Sequence, residues 1–128
     1  MIYVDSSVVL AELLDEDRRP STTLWQVSPT SSRLAEYEVL TRLFRTGLTS
    51  SLGRKAHALL DRLTFIEMSS SVLERALEPF PRPLRTLDAL HLATADFLQR
   101  SGNNVELASY DTRLIAAAKM MDIKIAEL

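Results

Sequence analysis

The sequence predicts an α/β fold in which helices cover both faces of a central, mainly parallel β-sheet. Short apolar runs of strand length alternate with longer runs of helical periodicity, an order typical of parallel β-α units. The few Gly and Pro residues lie between these runs, where the chain must turn. With 128 residues, of which 46% are apolar, the chain suits a single domain spanning residues 1–128.

The first part of the chain predicts a strand that ends in an acid, followed by a buried helix. The strand covers the sequence IYVD, and the helix covers SSVVLAELL, with Ser6 or Ser7 as its expected cap. The polar stretch from Arg18 to Thr23 contains Pro20 and predicts a loop. A short helix around Trp25 is expected to follow this loop.

The middle of the chain predicts one short strand and two helices. The strand lies in the sequence TSSRL. A helix from Leu34 to Thr46 is expected to end at Gly47, since glycine favours the left-handed conformation that follows many helices. Another helix is expected from Ser51 to Leu63. The periodicity of the first helix places its apolar face on Leu34, Tyr37, Leu40, Leu43 and Phe44.

The rest of the chain continues the alternation of strands and helices. A strand in TFIEM precedes a helix in SSSVLERALEPF, and the sequence PRPLR then interrupts the chain. Thr86 is expected to cap the next helix, LDALHLATADFLQR, which ends before Gly102. The last three predicted elements are the strand VELASYD, the helix TRLIAAAKMM and the strand IKIAEL.

Charge and composition exclude several classes of function. The net charge of −2 argues against a domain that coats nucleic acid, since such binding depends on neutralising phosphates. The lack of cysteine excludes disulfides, thiolate metal sites and cysteine nucleophiles. No apolar run approaches the roughly 18 residues of a membrane span. The first residues, MIYVDSS, lack the features of a secretion signal, so a cytoplasmic protein is expected.

Three aspartates occupy positions where a parallel α/β fold binds its ligands. Asp5 and Asp111 each follow a predicted strand, and ligands of open parallel sheets bind at the carboxyl ends of the strands. Asp88 lies in the apolar run LDALHLATA, where a buried charge is costly unless a metal ion offsets it. Each aspartate also has a structural alternative. Asp5 and Asp111 suit helix caps, and Asp88 suits the positive end of a helix dipole.

Two glutamates on the helix predicted from Leu34 to Thr46 compete for a place in this cluster. Glu36 falls inside the predicted apolar face, whereas Glu38 falls at its edge, beside Arg42 and Arg45. The structural alternative for Glu38 is a solvated ion pair with Arg42, four residues later on the same helix. The periodicity alone therefore does not favour Glu38.

The remaining polar residues give weaker signals. His91 follows Asp88 by one helical turn and is expected to make a polar contact within a packed helix. His57 is expected to be solvated, so a ribonuclease that uses a pair of histidines is poorly supported. Asp96 is expected to lie at the surface or to support the cluster from outside. Two basic groups suit either a phosphate backbone or a solvated surface: Arg42, Arg45, Arg54 and Lys55 in one, and Arg82 and Arg85 in the other.

Together these segments resemble the PIN domain, and in particular the VapC toxins of bacterial type II toxin–antitoxin pairs. IYVDSSVVL resembles the family's opening strand, whose acid is Asp5 here. SSRLAEYEVLTRL resembles the second segment, whose acid is Glu38 and not Glu36. RTLDALHLATA is the most specific segment and contains Asp88, while ASYDTRLIAAA resembles the last acidic segment with Asp111. The resemblance covers nearly the whole chain.

The resemblance implies a three-layer α/β/α domain that acts as a Mg²⁺-dependent endoribonuclease, with Mn²⁺ as an alternative ion. It also implies that the substrate is single-stranded or looped RNA. Asp5 and Asp88 would bind the metal directly, and Asp111 would bind a second ion or a bound water. Glu38 would orient water or assist the metal. Carboxylates suit such cations, and a bound ion lowers the pKa of its water. Ser109 stands where the family often carries Thr, and its hydroxyl supports the same local bonding.

The resemblance also implies partners. They are an RNA substrate, a second copy of the chain in a homodimer, and a cognate VapB-like antitoxin protein. The antitoxin would lay an amphipathic segment into an apolar groove. The apolar first helix and the region around Trp25 are the expected groove, and a basic antitoxin side chain would reach the acidic pocket.

Two other classes of function stay open from the sequence. A non-catalytic PIN-like interaction domain would share the fold, although the retention of all four acids speaks against it. An aspartate phosphoacceptor module would need a second acid beside Asp5 and a lysine on a late strand. Lys124 lies on the last predicted strand, but no acid pair follows the first one.

Overall fold

The computed structural model describes all residues from 1 to 128. Its five strands are Ile2–Val4 (β1), Thr30–Ser32 (β2), Thr64–Ile66 (β3), Glu106–Ala108 (β4) and Lys124–Ile125 (β5). Its six α-helices are Ser6–Leu13 (α1), Arg33–Arg45 (α2), Thr49–Leu60 (α3), Ser70–Leu77 (α4), Thr86–Arg100 (α5) and Thr112–Met120 (α6). A 3₁₀ helix covers Thr22–Val27. Every predicted strand and helix is present, with boundaries that shift by a few residues.

The strands form one sheet in the order β3-β2-β1-β4-β5, and all four neighbouring pairs are parallel. This confirms the predicted α/β fold. The chain runs outward from β1 through β2 to β3, and then continues on the other side of β1 with β4 and β5. Such a reversal of direction opens a crevice at the carboxyl ends of the two strands beside it. Here those strands are β1 and β4.

The sheet separates two apolar cores. Val4 of β1 and Ala108 of β4 pack in the first core with residues of α1, α2 and α3. Tyr3 and Leu107, the neighbours of those residues, pack in the second core with α5 and α6. Successive residues of a strand face opposite sides of a sheet. Helices therefore cover both faces, which gives the three layers that the resemblance implies.

Two helices begin differently from the prediction. Asp5, rather than Ser6 or Ser7, is the cap residue of α1, and its side chain makes no capping hydrogen bond. Thr86 is the first residue of α5, and Arg85 occupies the cap position, also without a side-chain bond. The hydroxyl groups of Ser6 and Ser7 bind carboxylates instead, so they are not available to cap the helix.

The predicted apolar face of α2 is wrong at two of its five positions, Tyr37 and Phe44, whereas Leu43 is buried as predicted. The buried residues of this helix are Ala35, Val39 and Leu43, which lie four residues apart. Tyr37 is 65% exposed and Phe44 is 78% exposed. A row of smaller side chains faces α1 and α3, so the helix turns both aromatic rings outward. The end of α2 agrees with the prediction, since the chain leaves it through a glycine, Gly47, with φ of 72°.

Most apolar side chains in the region expected to bind the antitoxin are buried. Val8 and Leu13 of α1 pack in the first core together with Trp25. Leu10 of α1 nevertheless lines a cavity, and Val27 is 60% exposed, so antitoxin binding in this region stays a prediction. Across the whole structure, no helix has both the length and the apolar character needed to span a membrane.

Candidate active site

A cavity of about 1010 Å³ lies at the carboxyl ends of β1 and β4, beside α1, α2 and α5. Three of the four predicted acids, Glu38, Asp88 and Asp111, line it. The fourth, Asp5, is only 3% exposed and lies next to Ser6, which is part of the cavity wall. The other lining residues are Leu10, Tyr37, Thr41, Arg42, Phe44, Arg45, Arg85, Thr86 and Leu87.

Two serine hydroxyls hold the carboxylate of Asp5. The Oγ of Ser7 donates to Oδ1 at 2.6 Å, and the Oγ of Ser109 donates to Oδ2 at 2.8 Å. Burial raises the pKa of Asp5, while the charge of His91 and the two hydroxyls oppose that shift. Asp5 is therefore a buried carboxylate fixed in one orientation by hydroxyls from α1 and from the end of β4.

Asp88 has no partner of its own. It lies in the first turn of α5, as predicted, and its carboxylate makes no hydrogen bond or ion pair within the protein. Burial raises its pKa, and the nearby carboxylates of Asp111 and Asp5 raise it further, against a smaller opposing effect of His91 and Arg85. Three negative groups thus face one another, and no basic side chain contacts Asp88 to neutralise them.

Asp111 combines a structural role with a free oxygen atom. Its Oδ1 accepts hydrogen bonds from the backbone N–H groups of Arg113 at 2.9 Å and Leu114 at 3.1 Å, and so caps α6. Its own backbone N–H donates to Ser109 Oγ at 2.9 Å. The helix-cap alternative is therefore correct, but it occupies only one carboxylate oxygen. The Oδ2 atom has no hydrogen-bond partner in the protein.

Glu38 is held at the cavity by a chain of hydrogen bonds. Its Oε2 accepts from Ser6 Oγ at 2.8 Å, and its Oε1 lies 2.5 Å from His91 Nε2. The other ring nitrogen of His91 lies 2.8 Å from the hydroxyl oxygen of Tyr3. The predicted polar contact of His91 within a packed helix is therefore confirmed. The ion pair predicted between Glu38 and Arg42 is absent.

Glu36 lies outside the cavity. Its carboxylate pairs with Arg33 at 3.4 Å, three residues earlier on α2. The structure thus brings Glu38 to the other acids and leaves Glu36 away from them. The helix periodicity did not favour Glu38 because it was interpreted with Tyr37 and Phe44 on the buried face. In the structure both rings are exposed.

Sequence reasoning missed most of the hydroxyl groups that orient the acids, and only that of Ser109 was given a local hydrogen bond, through the resemblance. Ser6 and Ser7 were assigned to a helix cap, and the hydroxyl of Tyr3 received no role. The available signal was proximity in sequence, because Ser6 and Ser7 directly follow Asp5 and Ser109 lies two residues before Asp111. A serine next to a buried acid is a ready donor to its carboxylate.

Two other predicted positions have different outcomes. His57 is exposed, as expected. Asp96 is neither at the surface nor a support for the acidic cluster, since it is buried and pairs with Arg75 of α4 at 2.5 Å and with Arg100 at 3.0 Å. This ion-pair network connects α4 with α5 and does not reach the cavity.

The donor chemistry of the cavity fits a hard divalent cation, although the site is not ready-made. As the side chains lie, no group of three or more Asp, Glu or His residues is placed closely enough to hold a metal ion. The available donors are nevertheless carboxylate oxygens, which Mg²⁺ and Mn²⁺ prefer. The unpaired charge of Asp88 and the free Oδ2 of Asp111 are the atoms that such an ion would satisfy.

Comparisons with known proteins agree on one family. The PIN domain family matches residues 2–120 of this chain. Ribonuclease VapC46 of Mycobacterium tuberculosis (strain ATCC 25618 / H37Rv) is 36% identical over 129 aligned residues, covering 97% of this chain and 95% of the relative. Ribonuclease VapC47 of Mycobacterium tuberculosis (strain CDC 1551 / Oshkosh) is 29% identical over 126 residues, covering 93% and 90%. A solved chain described as a toxin-antitoxin complex from Klebsiella pneumoniae shares the fold, with a TM-score of 0.65, 22% identity and 91% coverage of both chains.

Proposed function

Because the chain belongs to the PIN domain family and has VapC ribonucleases among its relatives, we propose that it is a metal-dependent endoribonuclease. The observation that carries this proposal is the cavity in which Asp88 faces other carboxylates without a neutralising partner. Mutual repulsion of this kind is costly unless a cation relieves it. We infer that the cation is Mg²⁺, or alternatively Mn²⁺.

We assign the binding of this cation to Asp5, Asp88 and Asp111. Bound there, the ion would activate a water molecule and offset the negative charge that develops on the phosphate. Ser7 and Ser109 keep the Asp5 carboxylate in a fixed orientation from two sides. The cap bonds of Asp111 fix its Oδ1, so that Oδ2 is the atom available for the ion.

We assign Glu38 to the orientation of the attacking water. Its two oxygens are held by Ser6 and His91, and the residue lines the cavity beside Asp88 and Asp111. A carboxylate held in this way accepts a hydrogen bond from water in a defined direction and would take up its proton as the water oxygen bonds to phosphorus. The bond from phosphorus to the leaving ribose oxygen would break in the same reaction, and that oxygen would take a proton from solvent. Glu38 is thus the general base of the proposed reaction.

We further propose that the protein is the toxin of a toxin–antitoxin pair and acts in the cytoplasm as a homodimer. The names of its relatives and the toxin-antitoxin complex among its structural neighbours support a protein antitoxin as the partner. Leu10 of α1 lines the cavity and Val27 is exposed, so we keep the region around α1 and Trp25 as the proposed antitoxin site. Light scattering of the purified chain measures its mass in solution, and a monomer of 14.4 kDa would contradict the dimer.

The phosphoacceptor alternative finds no support in the site. Lys124 pairs in register with Glu106, the first residue of β4, so it does not lie at the carboxyl ends of β1 and β4. No lysine lines the cavity. A phosphorylated aspartate at the end of β1 would therefore lack the basic side chain that this chemistry needs.

The alternative of a non-catalytic interaction domain predicts no cleavage of RNA at all, so a cleavage assay distinguishes it from the proposed ribonuclease.

The proposal is tested by RNA cleavage with the purified chain in Mg²⁺ and in EDTA. We expect cleavage in Mg²⁺ only, and a loss on the order of 100-fold or more for Asp5→Asn and Asp88→Asn, since each removes a charged ligand of the ion. Asp17→Asn is the matched control, because Asp17 is exposed and forms no ion pair. Full cleavage in EDTA, or full activity of Asp88→Asn, would refute the proposal.

A further inference from the structure

The part of the cavity wall formed by α2 carries two exposed aromatic rings, in the same helix as Glu38. Tyr37 and Phe44 both lie on α2 and both line the cavity. They are the only aromatic residues among the exposed large apolar side chains of the protein. Seven residues separate them, which places them on one side of the helix and on the order of 10 Å apart along its axis. Flat apolar rings kept in solvent beside a catalytic cavity suit a ligand with flat faces of its own.

The same side of α2 carries unpaired positive charge. Arg42 and Arg45 lie on α2, Arg85 lies at the start of α5, and all three line the cavity without forming an ion pair. Exposed arginines elsewhere, such as Arg54 and Arg62, are unpaired too, so the two arginines of α2 differ from them by lying at the cavity beside the two rings. Guanidinium groups without acidic partners are free to bind the oxygens of a phosphate.

We propose that Tyr37, Phe44, Arg42 and Arg45, here called the α2 wall, bind the single-stranded RNA that leads into the acidic cavity. The two rings stack on bases, and the two guanidinium groups contact phosphates of the same strand. The inference rests on the proposed ribonuclease function and deepens it, because it assigns the surface of this chain that binds the substrate.

The composition of the wall favours an unpaired RNA strand over a duplex or a peptide. Bases in a duplex are stacked and paired, so their faces are not available to protein rings. A helical peptide would need a continuous aliphatic groove. The cavity offers only Leu10 and Leu87 as aliphatic lining, whereas rings and arginines alternate along α2. Aromatic platforms combined with positive charge are typical of proteins that bind single strands.

The first test measures binding apart from cleavage. Fluorescence anisotropy with a random-sequence single-stranded RNA of about a dozen nucleotides, in EDTA, gives Kd for each variant. We expect Tyr37→Ala and Phe44→Ala each to weaken binding from about fivefold to over a hundredfold, the range observed when a stacking ring is removed. Leu77→Ala is the control, since Leu77 is 88% exposed and lies outside the cavity.

Conservative variants separate stacking from simple apolar contact. Phe44→Tyr keeps a ring and is expected to retain binding, whereas Phe44→Leu keeps an apolar side chain without a ring and is expected to bind as poorly as Phe44→Ala. Arg42→Ala combined with Arg45→Ala should reduce the slope of log Kd against log salt concentration by about 1.4, because each phosphate contact on a single strand contributes about 0.7. Arg62→Ala, which changes an exposed arginine outside the cavity, should leave that slope unchanged.

Steady-state cleavage in Mg²⁺ completes the test. A binding surface predicts that Tyr37→Ala and Phe44→Ala raise KM and leave kcat nearly unchanged. Wild-type Kd and KM in the ring variants would overturn the inference, as would wild-type RNA binding combined with lost binding of an antitoxin protein, which would assign the wall to a peptide. Absence of RNA binding by the wild-type protein would overturn it too. Ring-dependent binding without any cleavage would instead leave the inference standing and refute the proposed ribonuclease function.

Discussion

At the scale of single residues, the site consists of carboxylates that the fold satisfies only in part. Asp5 receives two hydroxyl hydrogen bonds, Asp111 uses one oxygen as a helix cap, and Asp88 receives none. A protein that needed these residues only for stability would gain from pairing each of them. The incomplete pairing is the arrangement expected where a ligand supplies the remaining contacts.

The unpaired carboxylate of Asp88 leads to a prediction about stability. Its raised pKa means that the folded protein accommodates the charged form less well than the unfolded chain does, so at neutral pH the charge opposes folding. We therefore expect Asp88→Asn to raise Tm slightly in EDTA, by about 1–3 °C. Added Mg²⁺ should raise the Tm of the wild-type protein and not that of the variant.

Differential scanning calorimetry checks both expectations. Asp17→Asn is again the control and should leave Tm unchanged with and without the ion. A lower Tm for Asp88→Asn in EDTA would contradict the electrostatic account of this residue. An equal response of both proteins to Mg²⁺ would show that the ion binds elsewhere.

The hydrogen-bonded chain from Tyr3 through His91 to Glu38 leads to a second prediction. Tyr3→Phe removes a buried hydroxyl and leaves Nδ1 of His91 without its partner. We expect the free energy of unfolding to fall by about 1–3 kcal/mol. Cleavage per folded molecule should fall as well, but by less than in Asp88→Asn, because Glu38 is loosened rather than removed. Urea unfolding and the cleavage assay measure the two effects, and an unchanged free energy of unfolding would show that this bond contributes nothing.

At the scale of elements, Asp111 at the start of α6 has two roles that substitution can separate. It caps the helix, and it brings a charge to the cavity. Asn caps a helix about as well as Asp does, whereas Ala costs about 0.5–2 kcal/mol. We expect Asp111→Asn to retain the free energy of unfolding and Asp111→Ala to lose that amount. Both variants should lose cleavage activity, since both lack the charged Oδ2. Full activity of Asp111→Asn would show that the cap is the only role of this residue.

The contact between α4 and α5 depends on a buried ion pair that lies away from the cavity. Both Arg75 and Asp96 have side chains less than 10% exposed, at 7% and 9%. Breaking one partner of such a pair commonly costs about 3–5 kcal/mol, because the other charge stays buried. We expect Asp96→Ala to lower stability by that amount in urea unfolding. Activity per folded molecule should stay at the wild-type level, and its loss would place Asp96 in the catalytic machinery.

Helix orientation shows where reasoning from the sequence reached its limit. Element order, the parallel sheet and the positions of Asp5, Asp88 and Asp111 follow from local patterns, since apolar runs, turns and strand-end acids are all visible in the sequence. The rotation of α2 depends instead on which residues fit against α1 and α3. Small side chains pack there, and the largest apolar ones, Tyr37 and Phe44, are left in solvent. Hydrophobicity alone therefore assigned the wrong face.

Contacts between distant segments were equally out of reach. The bond from Ser109 to Asp5 joins residues 104 positions apart, and the bond from His91 to Glu38 joins residues 53 positions apart. Only the pairing of β1 with β4 and the packing of α5 on the sheet bring these side chains together. The resemblance selected Glu38 over Glu36, whereas the periodicity did not. The structure explains the difference, because α2 is rotated about its axis so that Glu38 lines the cavity.

At the scale of the whole molecule, the strand order explains why the acids meet. The chain reverses direction across the sheet beside β1, so the ends of β1 and β4 lie next to each other and α5 begins at the same crevice. Asp5, Asp88 and Asp111 thereby meet at one cavity, and Glu38 reaches it from α2, whose exposed side also carries Tyr37 and Phe44. The cavity that this strand order creates thus supports both the proposed cleavage chemistry and the proposed path of the RNA.

The most direct test of this account is to locate the bound cation by anomalous diffraction from crystals grown with Mn²⁺. The account predicts an anomalous peak in the cavity, in contact with Asp88 and with at least one of Asp5 and Asp111. Crystals of Asp88→Asn should lack that peak, while Asp17→Asn should retain it. An ion bound only outside the cavity, or an undiminished peak in Asp88→Asn, would contradict the claim that these carboxylates form the metal site.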